Sequence, residues 1–192
     1  SQINLDLLLE HGYDPARCRC IPLLVDIEAL RQAVPVPAAR PLEDEFRLLF
    51  VGRVMPHKNQ LALVDMLWHL RRLTPVRCSL LLVGGGEADY CEKLEARIHE
   101  LALQDQVTLA GIVPDVELAQ AYAQADLYVS YSEHEGFGMP LVEAMVHQLP
   151  IVAYGSEGSS VEGTLGAAGL VSASRDPAVF AGLVAAVIEQ PL

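Results

Sequence analysis

Apolar residues along this chain come in short runs separated by stretches of helical period. FRLLFV (46–51), CSLLLV (78–83), QVTL (106–109), DLYVSY (126–131) and PIVA (150–153) are nearly continuous in apolar character, and a sixth short run lies at 169–172. Strands covered on both faces have this pattern, and it marks a parallel sheet with helices on each side. The intervening segments predict the helices. In NQLALVDMLWHLRRL (59–73), Leu63, Leu67 and Leu70 share a face with Trp68 at its edge. Residues 88–103 place acids early and Lys93 and Arg97 late, which suits a helix dipole. Asp115 is expected to cap a helix to about Gln124, Pro140 to open one through His147, and Asp176 with Pro177 to start the last. The predicted fold class is α/β, a Rossmann-like parallel sheet flanked by helices.

The first 45 residues differ from the rest. INLDLLLEH (3–11) predicts a short helix stopped by Gly12 and Pro15, CRCIPLLV (18–25) a strand interrupted by Pro22, and Asp26 the cap of a helical turn through Leu30. VPVPAARPLEDE (34–45) carries three prolines and an acidic run, which is linker composition. Residues 1–45 are therefore expected to be a leading helix and linker, and residues 46–192 the main domain.

Composition narrows the function. With 52% hydrophobic and 20% charged residues the chain is globular in type. No apolar run reaches the roughly 18 residues needed to span a bilayer, and SQINLDLLLEHG has neither the basic start nor the cleavage site of a secretory signal. The net charge of -12 disfavours a nucleic-acid partner. That charge is lopsided: residues 1–97 hold 12 basic and 13 acidic side chains, residues 98–192 one basic residue, Arg175, and 12 acids. An anionic ligand therefore depends on cations from the first half. Cys18, Cys20, Cys78 and Cys91 lack metal-site spacing and are expected to be free thiols in a reducing compartment.

Right-handed crossovers put the strand-to-helix loops on one sheet edge, where ligands of such folds bind. Three of these loops carry candidate chemistry. In GRVMPHK (52–58), Gly52 permits close approach, Arg53 offers a planar fork and Lys58 a mobile point charge, a pair suited to a diphosphate or to an ordinary cationic surface. GGGEADY (84–90) suits either ligand approach or a tight turn. In SYSEHEGFGMPLVEAM (130–145), Gly136 and Gly138 keep the turn open and Pro140 starts a helix. The amides of Gly138 to Leu141 are expected to face the cleft, and Glu143, in the first helical turn, to join Glu135 there. Two carboxylates framing a helix start accept hydroxyl protons, as a sugar-bearing ligand offers. Read singly, Glu143 suits helix-dipole compensation and Glu135 a solvated loop.

EGFGMPLVE resembles the E-x7-E motif of family 4, the group 1 retaining GT-B glycosyltransferases, with Glu135 and Glu143 as its acids. FVGRVMPHKNQ resembles that family's first strand and donor-phosphate loop, LLLVGGGE its second strand, and VTLAG and DLYVSYSEHEGFG follow in the family's order. RCRCIPLLVDIEAL resembles the crossing between the family's two domains, with Asp26 in the place of its aspartate. The resemblance covers about residues 15–188.

The resemblance implies two Rossmann-like domains facing across a cleft, of which this chain is the C-terminal, donor-binding one, incomplete at its end. It implies that Arg53 and Lys58 bind the donor diphosphate and stabilise the leaving nucleotide. Glu143 is implied to bind the ribose and Glu135 the transferred sugar beside the reacting carbon. Gly52, Gly84, Gly136, Phe137, Gly138, Met139, Pro140 and Leu141 are implied to line the donor site, and Gly111, Ile112 and Val113 to contact the base. It implies a UDP-, GDP- or ADP-linked sugar as substrate, with no cofactor and no metal, because the two cations neutralise the phosphates. It implies a glycan or lipid-linked acceptor held by the missing N-terminal domain, and a cytoplasmic location, at the inner face of the membrane for the full-length protein. Peripheral membrane association is assigned to that missing domain. His134 is read as a loop histidine, His57 as either a surface residue or one that approaches a phosphate beside Lys58, and Ser159 and Ser160 depart from the family's commoner glycines. Alternatives are a nucleotide-binding module without transferase activity and another GT-B enzyme such as a sugar-nucleotide epimerase. A nicotinamide-binding domain is disfavoured by the lack of GxGxxG.

Overall fold

Each apolar run becomes a strand whose successive side chains enter two different cores. The computed structural model describes residues 2–21, 25, 45–135, 137–155 and 160–190. Within them β1 is Glu45–Val51, β2 Arg77–Val83, β3 Val107–Gly111, β4 Leu127–Ser130, β5 Ile151–Tyr154 and β6 Leu170–Ser172. All pair in parallel, in the order β3-β2-β1-β4-β5-β6. The helices are α1 Gln2–Glu10, α2 Gln60–Leu70, α3 Ala88–Glu100, α4 Asp115–Gln124, α5 Met139–Val146, α6 Val161–Leu165 and α7 Pro177–Glu189. The strand expected within 18–25, the turn at 26–30 and the linker at 34–45 fall largely or wholly outside the described residues.

Leu48, Phe50, Leu80, Leu82, Leu127, Val129 and Val152 point to one core, shared with α2, α3 and α7. Leu49, Tyr128, Ile151 and Ala153 point to the other, shared with α4, α5 and α6. Burying each such aliphatic or aromatic side chain contributes about 1.5–3 kcal/mol, so the unbroken runs reflect two dry faces. Asp176 caps α7 as expected, accepting from the Ala178 amide at 2.9 Å.

Several boundaries differ from expectation. The helix at 59–73 stops at Leu70, and a turn at Arg71–Leu73 leads to Pro75, which disfavours helix before it. The helix at 88–103 stops at Glu100 because Ala102 turns left-handed (φ 51) and lets Leu103 return to the core. Asp115 is the first residue of α4 rather than its cap; Pro114 holds the cap position. Gly138 holds that position for α5, so Met139 opens the helix and Glu143 lies beyond its first turn. Helix α6 was not expected.

The strand order reverses between β1 and β4. The loops that follow these two strands diverge to opposite sides, which opens a crevice at their carboxyl ends. Arg53, Lys58 and Glu135 are carried by these two loops.

Candidate functional site

The loop after β1 is held by the loop after β2. Gly52 donates to the Val83 carbonyl at 2.9 Å, Val54 to Gly85 at 2.9 Å, and Glu87 back to Val54 at 3.2 Å. Val54 and Gly86 form a parallel bridge. Backbone runs against backbone here, which accounts for the three glycines. A Cβ on Gly84 (φ +139) collides with the Gly52 carbonyl, one on Gly86 with the Val54 carbonyl, and one on Gly85 lies 2.8 Å from the Ile112 side chain. Gly84 therefore supports the phosphate-loop candidate from behind its backbone.

A 3-10 turn at Pro56–Lys58 and a left-handed Asn59 (φ 53) then start α2. The fully buried Gln60 donates from Nε2 to the Arg53 carbonyl at 2.8 Å, fixing the backbone while the Arg53 side chain stays exposed. Arg53 has no ion-pair partner among the described residues. Lys58 does: its Nζ lies 2.6 Å from Glu135 Oε1, with the two side chains only 17% and 11% exposed. This ion pair joins the β1 and β4 loops across the crevice. The Glu133 amide adds a second tie, donating to the His57 carbonyl at 2.9 Å. His57 and His134 are both exposed.

The β4 loop has further supports that sequence reasoning missed. Ser160 donates from Oγ to the Glu135 carbonyl at 2.7 Å, and Thr164 to the Phe137 carbonyl at 3.2 Å. The two hydroxyls are one helical turn apart, a spacing that places them on one face. Arg175, the lone cation of the second half, lies 3.8 Å from Glu133 and donates to the Tyr154 hydroxyl at 3.1 Å. Gly136 lies outside the described residues.

At the start of α5, Gly138 is left-handed (φ 78). The Leu141 amide donates to the Gly138 carbonyl at 2.9 Å and Pro140 has no donor, so the expected row of cleft-facing amides at 138–141 is shorter than the sequence suggested. Among the described residues, the amides of Phe137, Gly138 and Met139 have no hydrogen-bond partner. Glu143 accepts at Oε2 from the Tyr122 hydroxyl at 2.7 Å. Tyr122 is 2% exposed, its ring between Tyr128 (6.2 Å) and His147 (5.0 Å). Burial, with Tyr128 and Glu143 adding, pushes its hydroxyl far above the ordinary phenol range, so it remains a donor. Burial likewise raises Tyr128, whose hydroxyl donates to the Val51 carbonyl at 3.2 Å; Glu135 and Glu143 both push it further up.

A cavity of about 320 Å³ opens beside Glu143, walled by Asp115, Leu118, Tyr122, Val146 and His147. At the end of β3, Gly111 is left-handed (φ 65), Ile112 is 86% exposed, and Val113 packs on the second core. Among the described residues, no three His, Cys, Asp or Glu side chains are grouped as around a metal ion, and no helix is long and apolar enough to cross a membrane. The four cysteines are unpaired, with Cys78 buried.

Residues 37–191 match the family described as glycosyl transferases group 1. The D-inositol 3-phosphate glycosyltransferase of Frankia alni is 33% identical over 187 residues, covering 93% of this chain and 46% of that protein. The chain spans about half the length of the curated relatives it matches. The Anabaena protein HepE, solved in complex with UDP and glucose, is similar with a TM-score of 0.67 and 26% identity, over 98% of this chain and 45% of that one. The C-terminal domain of the glycosyl transferase group 1 family protein LpcC of Francisella tularensis shares the fold: TM-score 0.66 at 17% identity, over 83% of this chain and 87% of that domain. The six-stranded parallel sheet, the E-x7-E acids at its crevice and these matches agree: the chain belongs to the group 1 glycosyltransferases of GT-B fold.

Proposed function

We propose that this chain carries the nucleotide-sugar site of a retaining hexosyltransferase, with a UDP-linked hexose as donor and a glycan, cyclitol or lipid-linked acceptor bound by a second domain. The observation that carries this proposal is the Lys58–Glu135 ion pair across the β1/β4 crevice, with the exposed Arg53 in the same β1 loop as Lys58. The likeness to HepE, which was solved with UDP and glucose, supports these as the donor parts.

On donor binding, Lys58 turns from Glu135 to the diphosphate and Arg53 joins it. The freed Glu135 carboxylate accepts from hydroxyls of the sugar. The amides of Phe137 to Met139 hold phosphate and sugar, Glu143 the ribose, and the Gly111–Val113 loop the base. Transfer breaks the bond from the anomeric carbon to the β-phosphate oxygen, forms one from that carbon to the acceptor oxygen on the same face, and passes the acceptor hydroxyl's proton to the departing UDP. Arg53 and Lys58 stabilise the negative charge that develops on the leaving UDP. Acceptor positioning is a large share of catalysis, so this chain alone binds donor without appreciable transfer. The full-length enzyme works in the cytoplasm, at the inner membrane face.

Calorimetric titration with UDP and with uridine tests the proposal. Arg53→Ala and Lys58→Ala each remove a charged hydrogen bond, expected to weaken UDP about 10- to 100-fold and leave uridine unchanged. Equal losses on both ligands place the cations away from the phosphates. In the same titrations Glu135→Gln weakens UDP-glucose but not UDP.

A further inference from the structure

We infer that Tyr122 is the positioning residue for Glu143: its buried hydroxyl fixes the carboxylate in the orientation that accepts the ribose hydroxyls of the donor. This rests on the proposed ribose role of Glu143. Helix-dipole compensation does not account for Glu143, because the effect fades within the first turn and the acid sits beyond it. A buried hydroxyl is costly unless bonded, and a phenylalanine at 122 fills the same core without that cost. The phenol has one proton. It lies 2.7 Å from Glu143 Oε2 and 3.4 Å from the Pro140 carbonyl, and only the former is a full-strength O–H···O distance.

The ring holds still. It is nearly inaccessible and flanked by Tyr128 and His147, so its hydroxyl is a fixed point. Glu143 is the opposite kind of residue, a side chain with several rotatable bonds on a half-exposed helix face. One carboxylate offers about four acceptor sites. Tyr122 occupies one on Oε2, and no described residue bonds to Oε1, which leaves room for a vicinal diol. Tyr122 belongs to α4, the helix that directly follows the Gly111–Val113 loop, so the anchor of the ribose acid and the expected base contact lie on adjacent segments of the chain. Ordering a rotamer-rich side chain at a binding site lowers affinity by roughly three- to tenfold, and the anchored carboxylate avoids that loss.

The test compares UDP with 2′,3′-dideoxy-UDP on the purified chain by calorimetry. Tyr122→Phe is expected to weaken UDP about three- to tenfold and leave the dideoxy compound unchanged. Glu143→Gln weakens UDP further, again sparing the dideoxy compound, and adding Tyr122→Phe to it has no further effect. General damage to the core lowers both ligands equally, and that result overturns the inference. If Glu143→Gln changes the UDP-to-dideoxy ratio and Tyr122→Phe does not, the ribose role stands and the positioning role fails. If Glu143→Gln leaves the ratio unchanged, the ribose role fails and takes the inference with it; so does the absence of binding by UDP, GDP and ADP alike. Should Tyr122→Phe not fold, proton NMR of the unmodified chain decides: a protected tyrosine hydroxyl resonance, absent in Glu143→Ala, is expected to persist on UDP binding. Its loss on binding means that the carboxylate leaves Tyr122 and overturns the inference.

Discussion

His147 shows how burial alone sets a residue's behaviour. Its Nδ1 is buried without a hydrogen-bond partner among the described residues, and burial lowers its pKa below the ordinary histidine value. A proton added there has no acceptor to donate to. The unfolded chain binds that proton near pH 6.5 and the folded one only at lower pH. Between those two points the unfolded state holds more protons, so stability rises with pH through the window and is lost on acidification. We expect an NMR titration midpoint for His147 below about 6.5, and a denaturant midpoint that falls from about pH 7 to 5.5 more in the parent than in His147→Gln. Equal falls would assign the loss to other groups. At this scale the charged half of the site was legible in the sequence. Arg53, Lys58 and Glu135 occupy motif positions in loops whose place follows from strand order, and Glu143 one in the helix that follows the second loop. Tyr122, Ser160 and Thr164 were not legible. Tyr122 lies 21 residues from Glu143 in an ordinary amphipathic helix, and only tertiary packing brings the two together.

At the level of elements, the strands were legible because two covered faces demand unbroken apolar runs. Helix ends were less so. The start of α5 shifted by one residue, since a left-handed Gly138 takes the cap, and that shift moved Glu143 out of the first turn. Helix α6 is five residues long with Gly163 inside it, too short to show a period. The glycine loop allowed two explanations from sequence, and backbone packing separates them. Gly84→Ala places a side chain at φ +139 against the Gly52 carbonyl. Strained backbone of this kind costs about 1–3 kcal/mol, so we expect a lower melting temperature and weaker UDP binding through the displaced β1 loop. Gly182 is the control: it lies inside α7 with open space around its Cα, and alanine there is expected to stabilise by about 0.5–1 kcal/mol. A Gly84→Ala chain as stable as the parent contradicts the packing account.

Over the whole molecule, charge and chain length point the same way. The half of the sequence that carries both acids has one cation, Arg175, and that residue is bonded to Tyr154 and near Glu133. Cationic side chains for an anion must therefore come from the β1 side, which makes the crevice polar in the electrical sense, cations on one lip and acids on the other. We expect the purified chain to bind UDP without forming glycosylated product from UDP-glucose in a radiolabel assay; transfer at the rate of a full enzyme contradicts the domain assignment. The crevice also coincides with a weak line in the sheet. β1 pairs with β2 along its whole length, Glu45 to Val51, but with β4 only at Leu48 and Leu49. Each three-strand half is built from consecutive sequence, and on the back α2 against α7 clamps them together. In mechanical terms the binding cleft is a seam, and a ligand gripped by both lips is a stitch across it. Such a stitch acts on the joint with the fewest paired residues, so occupancy of the cleft stiffens the molecule along that joint.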